Sequence, residues 1–106
     1  MTEKFEMPAW YPVYEKTNPE LAKIIVSEQE LVWTKKNVLP RKVKELIGMS
    51  LAAVTGVSVG VTHHASLALK HGATREEVFD ALSLLSAWGI NTYAVAATAA
   101  LEAMKD

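Results

Sequence analysis

Few side chains in this sequence pair a titratable group with surroundings that could use it. Glu45 is the first. If the segment after Pro40 is a helix, Val43, Leu46, Ile47 and Val54 share an apolar face, while Arg41, Lys42 and Lys44 mark the solvated side. Glu45 shares a line with Gly48, Met49 and Ala52 through i+3, i+4 and i+7 spacing. Desolvation among small and apolar residues raises a carboxyl pKa, which suits general acid/base work. The plainer alternative is an ion pair with Arg41, four residues earlier, or with Lys42. His63 and His64 come next. Neighbouring helical residues point about 100° apart, so the two do not easily share a role. His64 aligns with Val57, Gly60, Val61, Leu67 and Ala68, a small apolar face; His63 aligns with Val59, Ser66 and Lys70, a mixed one. That makes His64 the buried candidate and His63 the rim candidate. Histidine titrates near neutral pH and is the commonest proton shuttle. The plainer alternative is a core histidine satisfied by a backbone carbonyl or a carboxylate.

Other chemistry is thinly represented. Trp33, Trp88 and Tyr93 could line a pocket, with a polar handle on Trp88 and Tyr93, but aromatics at helical spacing more often belong to the core. A two-histidine metal face needs i,i+4 spacing, and no histidine here has it. His64 and His71 lie two turns apart, about 10 Å along a helix axis. No metal site is expected. There is no Gly-rich phosphate loop and no Gly-x-Ser-x-Gly elbow.

The elements that must position these residues read as helices throughout. No run alternates with period two, so no strands are expected. Pro8, Pro12 and the aromatics Trp10, Tyr11 and Tyr14 suggest an extended N-terminal arm over residues 1–17. Residues 18–106 then form one helical domain. Asn18-Pro19-Glu20 is a helix start, and Leu21, Ile24, Ile25, Leu31 and Val32 give an amphipathic run to about Asn37. A second helix opens at Leu39-Pro40 and closes at Gly56; a third runs from about Ser58 to His71 and closes at Gly72. Thr74-Arg75-Glu76-Glu77 is a capping box that opens a fourth helix, ending at Trp88-Gly89. A fifth spans about Asn91 to Met104. Short loops predict antiparallel packing of neighbours.

Composition narrows the class. The 106 residues are 50% hydrophobic, carry a net charge of −1 and include no cysteine. Lys+Arg 11 against Asp+Glu 12 gives no basic excess, so nucleic acid is not an expected partner. Thiol chemistry and disulfides are excluded. The start has no apolar core segment of a secretory signal, so a cytoplasmic location is expected. Leu46–Leu69 and Ala81–Leu101 hold no Asp, Glu, Lys or Arg. Either is long enough for a bilayer, which takes about 20 residues. They are rich in Ala, Gly, Ser and Thr, however, and the first carries His63 and His64, so burial in protein is the better reading and no membrane partner is expected. A chain of this size buries only about 65% of its unfolded surface by itself. The sequence therefore predicts an obligate homo-oligomer.

The stretches Leu39–Ile47, Val57–His64 and Leu67–Leu82, with Gly72-Ala73-Thr74-Arg75-Glu76-Glu77 the most recognisable part, resemble the carboxymuconolactone decarboxylase family, which includes the alkylhydroperoxidase-D-like proteins. The resemblance covers roughly residues 20–104. In the redox branch of that family a Glu stands twelve residues before a Cys-x-x-Cys-x-x-x-His motif. Laid on this chain, the Glu falls on Glu45, the His on His64, and the cysteines on Val57 and Gly60. The resemblance therefore implies loss of thiol peroxidase activity with the proton-handling pair retained. The decarboxylase branch, which lacks the cysteines and converts γ-carboxymuconolactone to an enol-lactone, is the better match. It implies an all-α bundle of about five helices assembled as trimers or hexamers, and a cofactor-free carboxy-lyase acting on a small carboxylated lactone or related acid. His64 would move the proton, and Glu45 would fix its tautomer. Arg41 and His63 are the candidate cations for the substrate, Val57 and Gly60 a roomy apolar wall, and Trp88 and Tyr93 further lining. The alternative is a non-catalytic small-molecule-binding or assembly protein on the same scaffold.

Overall fold

The computed structural model describes residues 5–35, 38–89 and 92–105. All regular structure among them is helical: α1 (Tyr11–Thr17), α2 (Pro19–Glu30), a π-helical stretch (Leu31–Lys35), α3 (Arg41–Val54), α4 (Ser58–Lys70), α5 (Arg75–Ala87) and α6 (Tyr93–Ala103). The chain divides into two compact units, Met1–Leu39 and Pro40–Asp106.

In the first unit the expected extended arm is replaced, over Tyr11–Thr17, by α1. Pro12 sits in the first turn, where a missing N–H breaks no helical bond. Trp10 and Tyr14 then stack edge to face at 5.4 Å, and the Tyr11 hydroxyl donates to the Ala22 carbonyl at 3.4 Å. The Asn18 side chain caps α2 by accepting from the Leu21 N–H at 3.2 Å. The run expected to continue to Asn37 leaves α-helical geometry at Leu31, and Asn37 lies outside the described residues. There the Thr34 hydroxyl donates back to the Glu30 carbonyl at 2.6 Å. Only Ala22 of α2 is buried; Ile24, Leu31 and Val32 are exposed in the single chain.

In the second unit α4 packs on α3 and α6, and α5 packs on α6 and α3. Gly56, Gly72 and Gly89 follow the ends of α3, α4 and α5 with φ of 78°, 101° and 89°, the left-handed geometry expected of helix-closing glycines. The capping box forms as expected: the Thr74 hydroxyl accepts from the Glu77 N–H at 3.0 Å, and Glu77 accepts from the Thr74 N–H at 2.8 Å. Lys42 Nζ reaches the other Glu77 oxygen at 3.1 Å, tying this cap to α3. The start expected for the last helix, Asn91, lies outside the described residues.

The core is built largely of alanine, with Ala53, Ala65, Ala68, Ala96 and Ala100 around Met49, Val61, Val78 and Leu82. Small side chains let helix axes approach closely. The inward face of α3 is Glu45, Gly48, Met49 and Ala53. The face expected to be apolar is only partly covered: Leu46 packs on the core, but Ile47 and Val54 stay 46% and 49% exposed. The small residues Gly48 and Ala53 are buried on the inward side instead. No helix among the described residues is long and apolar enough to cross a membrane.

Candidate functional site

Arg41 and Glu45 stand one turn apart on α3, and α4 brings His64 to them. Glu45 is completely buried, and it is the one charged side chain in the core among the described residues. Its Oε2 accepts from Arg41 Nε at 2.6 Å, and its Oε1 faces His64 Nδ1 at 2.7 Å. Both carboxylate oxygens are thus engaged, by side chains that remain 20% (Arg41) and 21% (His64) exposed.

The electrostatics run opposite to the expected raised pKa. Burial does push the Glu45 carboxyl up, but the hydrogen bonds from His64 and Arg41 and the charges behind them outweigh it, and its pKa falls below the ordinary 4.5. A desolvation argument from neighbours on α3 alone omits the two donors. An ionised carboxylate only accepts hydrogen bonds, so His64 Nδ1 carries the proton and Nε2 is the basic atom of the neutral ring. The Arg41 ion pair anticipated as the plainer alternative forms as well; Lys42 instead joins Glu77. The His63 ring meets the His64 ring edge on at 5.1 Å, beside the cluster and outside its hydrogen bonds to Glu45.

The expected roomy wall is only half present. A Cβ placed on Gly60 would lie 2.9 Å from the Ala52 Cβ, closer than atoms fixed to two packed backbones tolerate. Gly60 therefore marks a close approach of α3 and α4 rather than an open space. Val57, half-exposed before α4, does border a cavity of about 180 Å³. Ala53, Gly56, Ser58, Val61, Thr92, Val95 and Ala96 complete its lining. Trp88 and Tyr93 are 84% and 36% exposed and line neither this cavity nor the core. Thr92 and Ala96 carried no signal in the sequence, because threonine and alanine at a helix start are unremarkable. Among the described residues no three His, Asp or Glu side chains cluster as metal ligands would.

Comparison with known proteins places this geometry in context. The sequence profile of the Carboxymuconolactone decarboxylase family matches residues 19–106. An uncharacterized protein of Cupriavidus necator is 43% identical over 51 residues, 48% of this chain and 45% of that protein. The chain thus spans about half the length of the curated relative it matches. No solved structure matches the chain.

Proposed function

The chain belongs to the carboxymuconolactone decarboxylase family, and within it we propose a cofactor-free carboxy-lyase that decarboxylates a small carboxylated lactone or related acid. The observation that carries this reading is the buried Glu45 carboxylate with its oxygen 2.7 Å from His64 Nδ1. In the proposed step the bond between the ring carbon and the carboxylate breaks and carbon dioxide leaves. The electron pair stays on the carbon, spread onto a conjugated carbonyl. His64, protonated at Nε2 from solvent, gives that proton to the carbon and returns to the neutral Nδ1–H form. Glu45 stabilises the imidazolium and holds the ring's tautomer. Arg41 acts on Glu45, offsetting its burial, rather than serving chiefly as a substrate cation.

The same reading includes a homo-oligomer, trimer or hexamer. Its support is the exposed stripe Ile47, Leu51 and Val54, which recurs at i, i+4 and i+7 along α3, with Leu84 and Trp88 exposed one turn apart around the end of α5. Sedimentation should give a mass of at least three chains; a monomer at micromolar concentration contradicts it.

A second reading, a non-catalytic binding protein, is favoured by one observation: Glu45 already has a donor on each oxygen, as a purely structural buried carboxylate would. Turnover separates the two. His64→Ala should lower the rate on a carboxylated lactone by about 10²–10⁴-fold while the helix content and assembly persist. An unchanged rate in this variant removes His64 from the mechanism.

A further inference from the structure

A buried carboxylate beside an imidazole has two effects on it. It fixes which ring nitrogen carries the resting proton, and it strengthens the ring's hold on a second proton, because imidazolium and carboxylate attract. The first effect helps a proton donor. The second, carried too far, opposes it, since a donor works best when its proton affinity matches the working pH.

In this chain the carboxylate is shared. Arg41 Nε donates to Glu45 Oε2 at 2.6 Å, while His64 Nδ1 meets Oε1 at 2.7 Å. Arg41 opens α3 and Glu45 follows one turn later, so the i,i+4 spacing lays the guanidinium on the other oxygen of the same carboxylate. A guanidinium keeps its charge at every pH at which a histidine titrates. Protonating His64 therefore takes the three groups together from neutral to singly positive. Without Arg41, the same proton would take a buried pair from singly negative to neutral, a change that burial favours. Arg41 Nε and His64 Nδ1 are less than about 8 Å apart, and a unit charge at that range, partly screened by water, changes a neighbour's proton affinity by about tenfold.

The surroundings leave this contrast in place. Glu45 and, through it, Arg41 reach His64 from α3, and the His63 ring meets it from its own helix at 5.1 Å. Of the charged groups on the other helices packed against α4, Glu77 of α5 pairs with Lys42 and Glu102 of α6 with Lys105, while Arg75, Glu76 and Asp80 of α5 are exposed. Charges common to the wild type and a variant at Arg41 cancel in the comparison between them.

We propose that Arg41 is a positioning residue of the acid/base pair: its guanidinium, held on Glu45 Oε2, cancels most of the carboxylate's pull on the His64 proton. Glu45 then sets the tautomer of the ring, while Nε2 stays ready to give its proton away. This rests on the reading of His64 as the proton donor and adds the group that sets its strength.

The test follows the ring NMR signals of His64 against pH in the full chain, with the His63 and His71 rings assigned separately, and needs no substrate. Arg41→Gln removes the charge from a half-buried position in the first turn of α3, and should move the His64 midpoint up by about one pH unit. Arg41→Lys keeps the charge and should stay within about 0.3 unit of the wild type; it decides the matter by itself where Arg41→Gln does not fold. On a carboxylated lactone, Arg41→Gln should lower kcat about threefold with KM unchanged. An unmoved or lowered midpoint in Arg41→Gln overturns the proposal, as does a shift of about one unit in Arg41→Lys. So does a raised KM with an unmoved midpoint, which would return Arg41 to the substrate. Retained turnover in His64→Ala removes the acid/base reading instead, whatever the titration shows, so the two failures are distinguishable.

Discussion

The first turn of α4 and its middle turn have been treated in opposite ways. In the middle turn, His64 meets a buried carboxylate whose two oxygens are each matched by a donor within 2.7 Å. In the first turn, Val57 borders a cavity and Gly60 lies against Ala52, at the two positions where the redox branch of the family would carry sulfur. The lesson is that the Glu45–His64 contact forms, with its electrostatics intact, in a chain without thiols. Against the upward push of burial, the hydrogen bonds from His64 and from Arg41, one turn away on α3, with the charges behind them, hold the Glu45 carboxyl below its ordinary pKa. Nor could a side chain simply be added at the second of these positions, since a Cβ on Gly60 would lie 2.9 Å from the Ala52 Cβ.

The contrast can be broken most forcefully in the middle turn. Glu45→Ala should destabilise the fold by about 3–5 kcal/mol in denaturant titrations, because Arg41 and the His64 N–H then face an apolar hole. A loss below 1 kcal/mol would mean that the cluster is loosely solvated. Acid pH probes the same group more gently. A carboxyl whose folded-state pKa lies below its unfolded one contributes stability above about pH 4.5, and that contribution disappears as the pH falls through the folded-state value. Urea midpoints of the wild type should therefore fall, as the pH drops below 4.5, more steeply than those of Glu45→Gln; parallel curves would remove the ion-pair account.

The first turn should answer differently at its two positions. Replacing a glycine within a helix by alanine ordinarily stabilises, by about 0.5–1 kcal/mol in the middle of the helix. Gly60→Ala should instead cost about 1–3 kcal/mol, from the collision with Ala52. A gain in stability there would show that the two helices part readily. The smallest effect belongs to Val57→Cys, half-exposed and outside the close approach, which should change stability by less than about 0.5 kcal/mol. A cysteine should thus be tolerated at Val57 and costly at Gly60.

Much of this was readable beforehand where chemistry is local. The Thr74–Glu77 box, the Asn18 cap and the closing glycines follow from backbone sterics and short-range hydrogen bonds, and each forms as expected. The Glu45–His64 meeting was readable only from the twelve-residue and three-residue spacings of a known motif, because it joins two helices. The direction of the Glu45 shift was not, since it depends on donors arriving from both helices at once. Residues 11–17 went astray for a related reason: prolines and aromatics suggested an extended arm, but a proline in a first turn and an aromatic pair at i,i+4 also suit a short helix. Trp88 is 84% exposed in the single chain and so lies outside the core. The Thr92 cavity is invisible in sequence because it is a space between three helices, and its lining residues are ordinary ones.

An ionised Glu45 dictates which nitrogen of His64 carries the proton, and ¹⁵N NMR of the histidine rings reads this directly. At a pH where His64 is neutral, its spectrum should show the Nδ1–H tautomer in the wild type and a shift toward Nε2–H in Glu45→Ala. An Nε2–H ring in the wild type, unchanged by the substitution, would contradict a carboxylate acceptor at Nδ1 and with it the proposed acid/base pair.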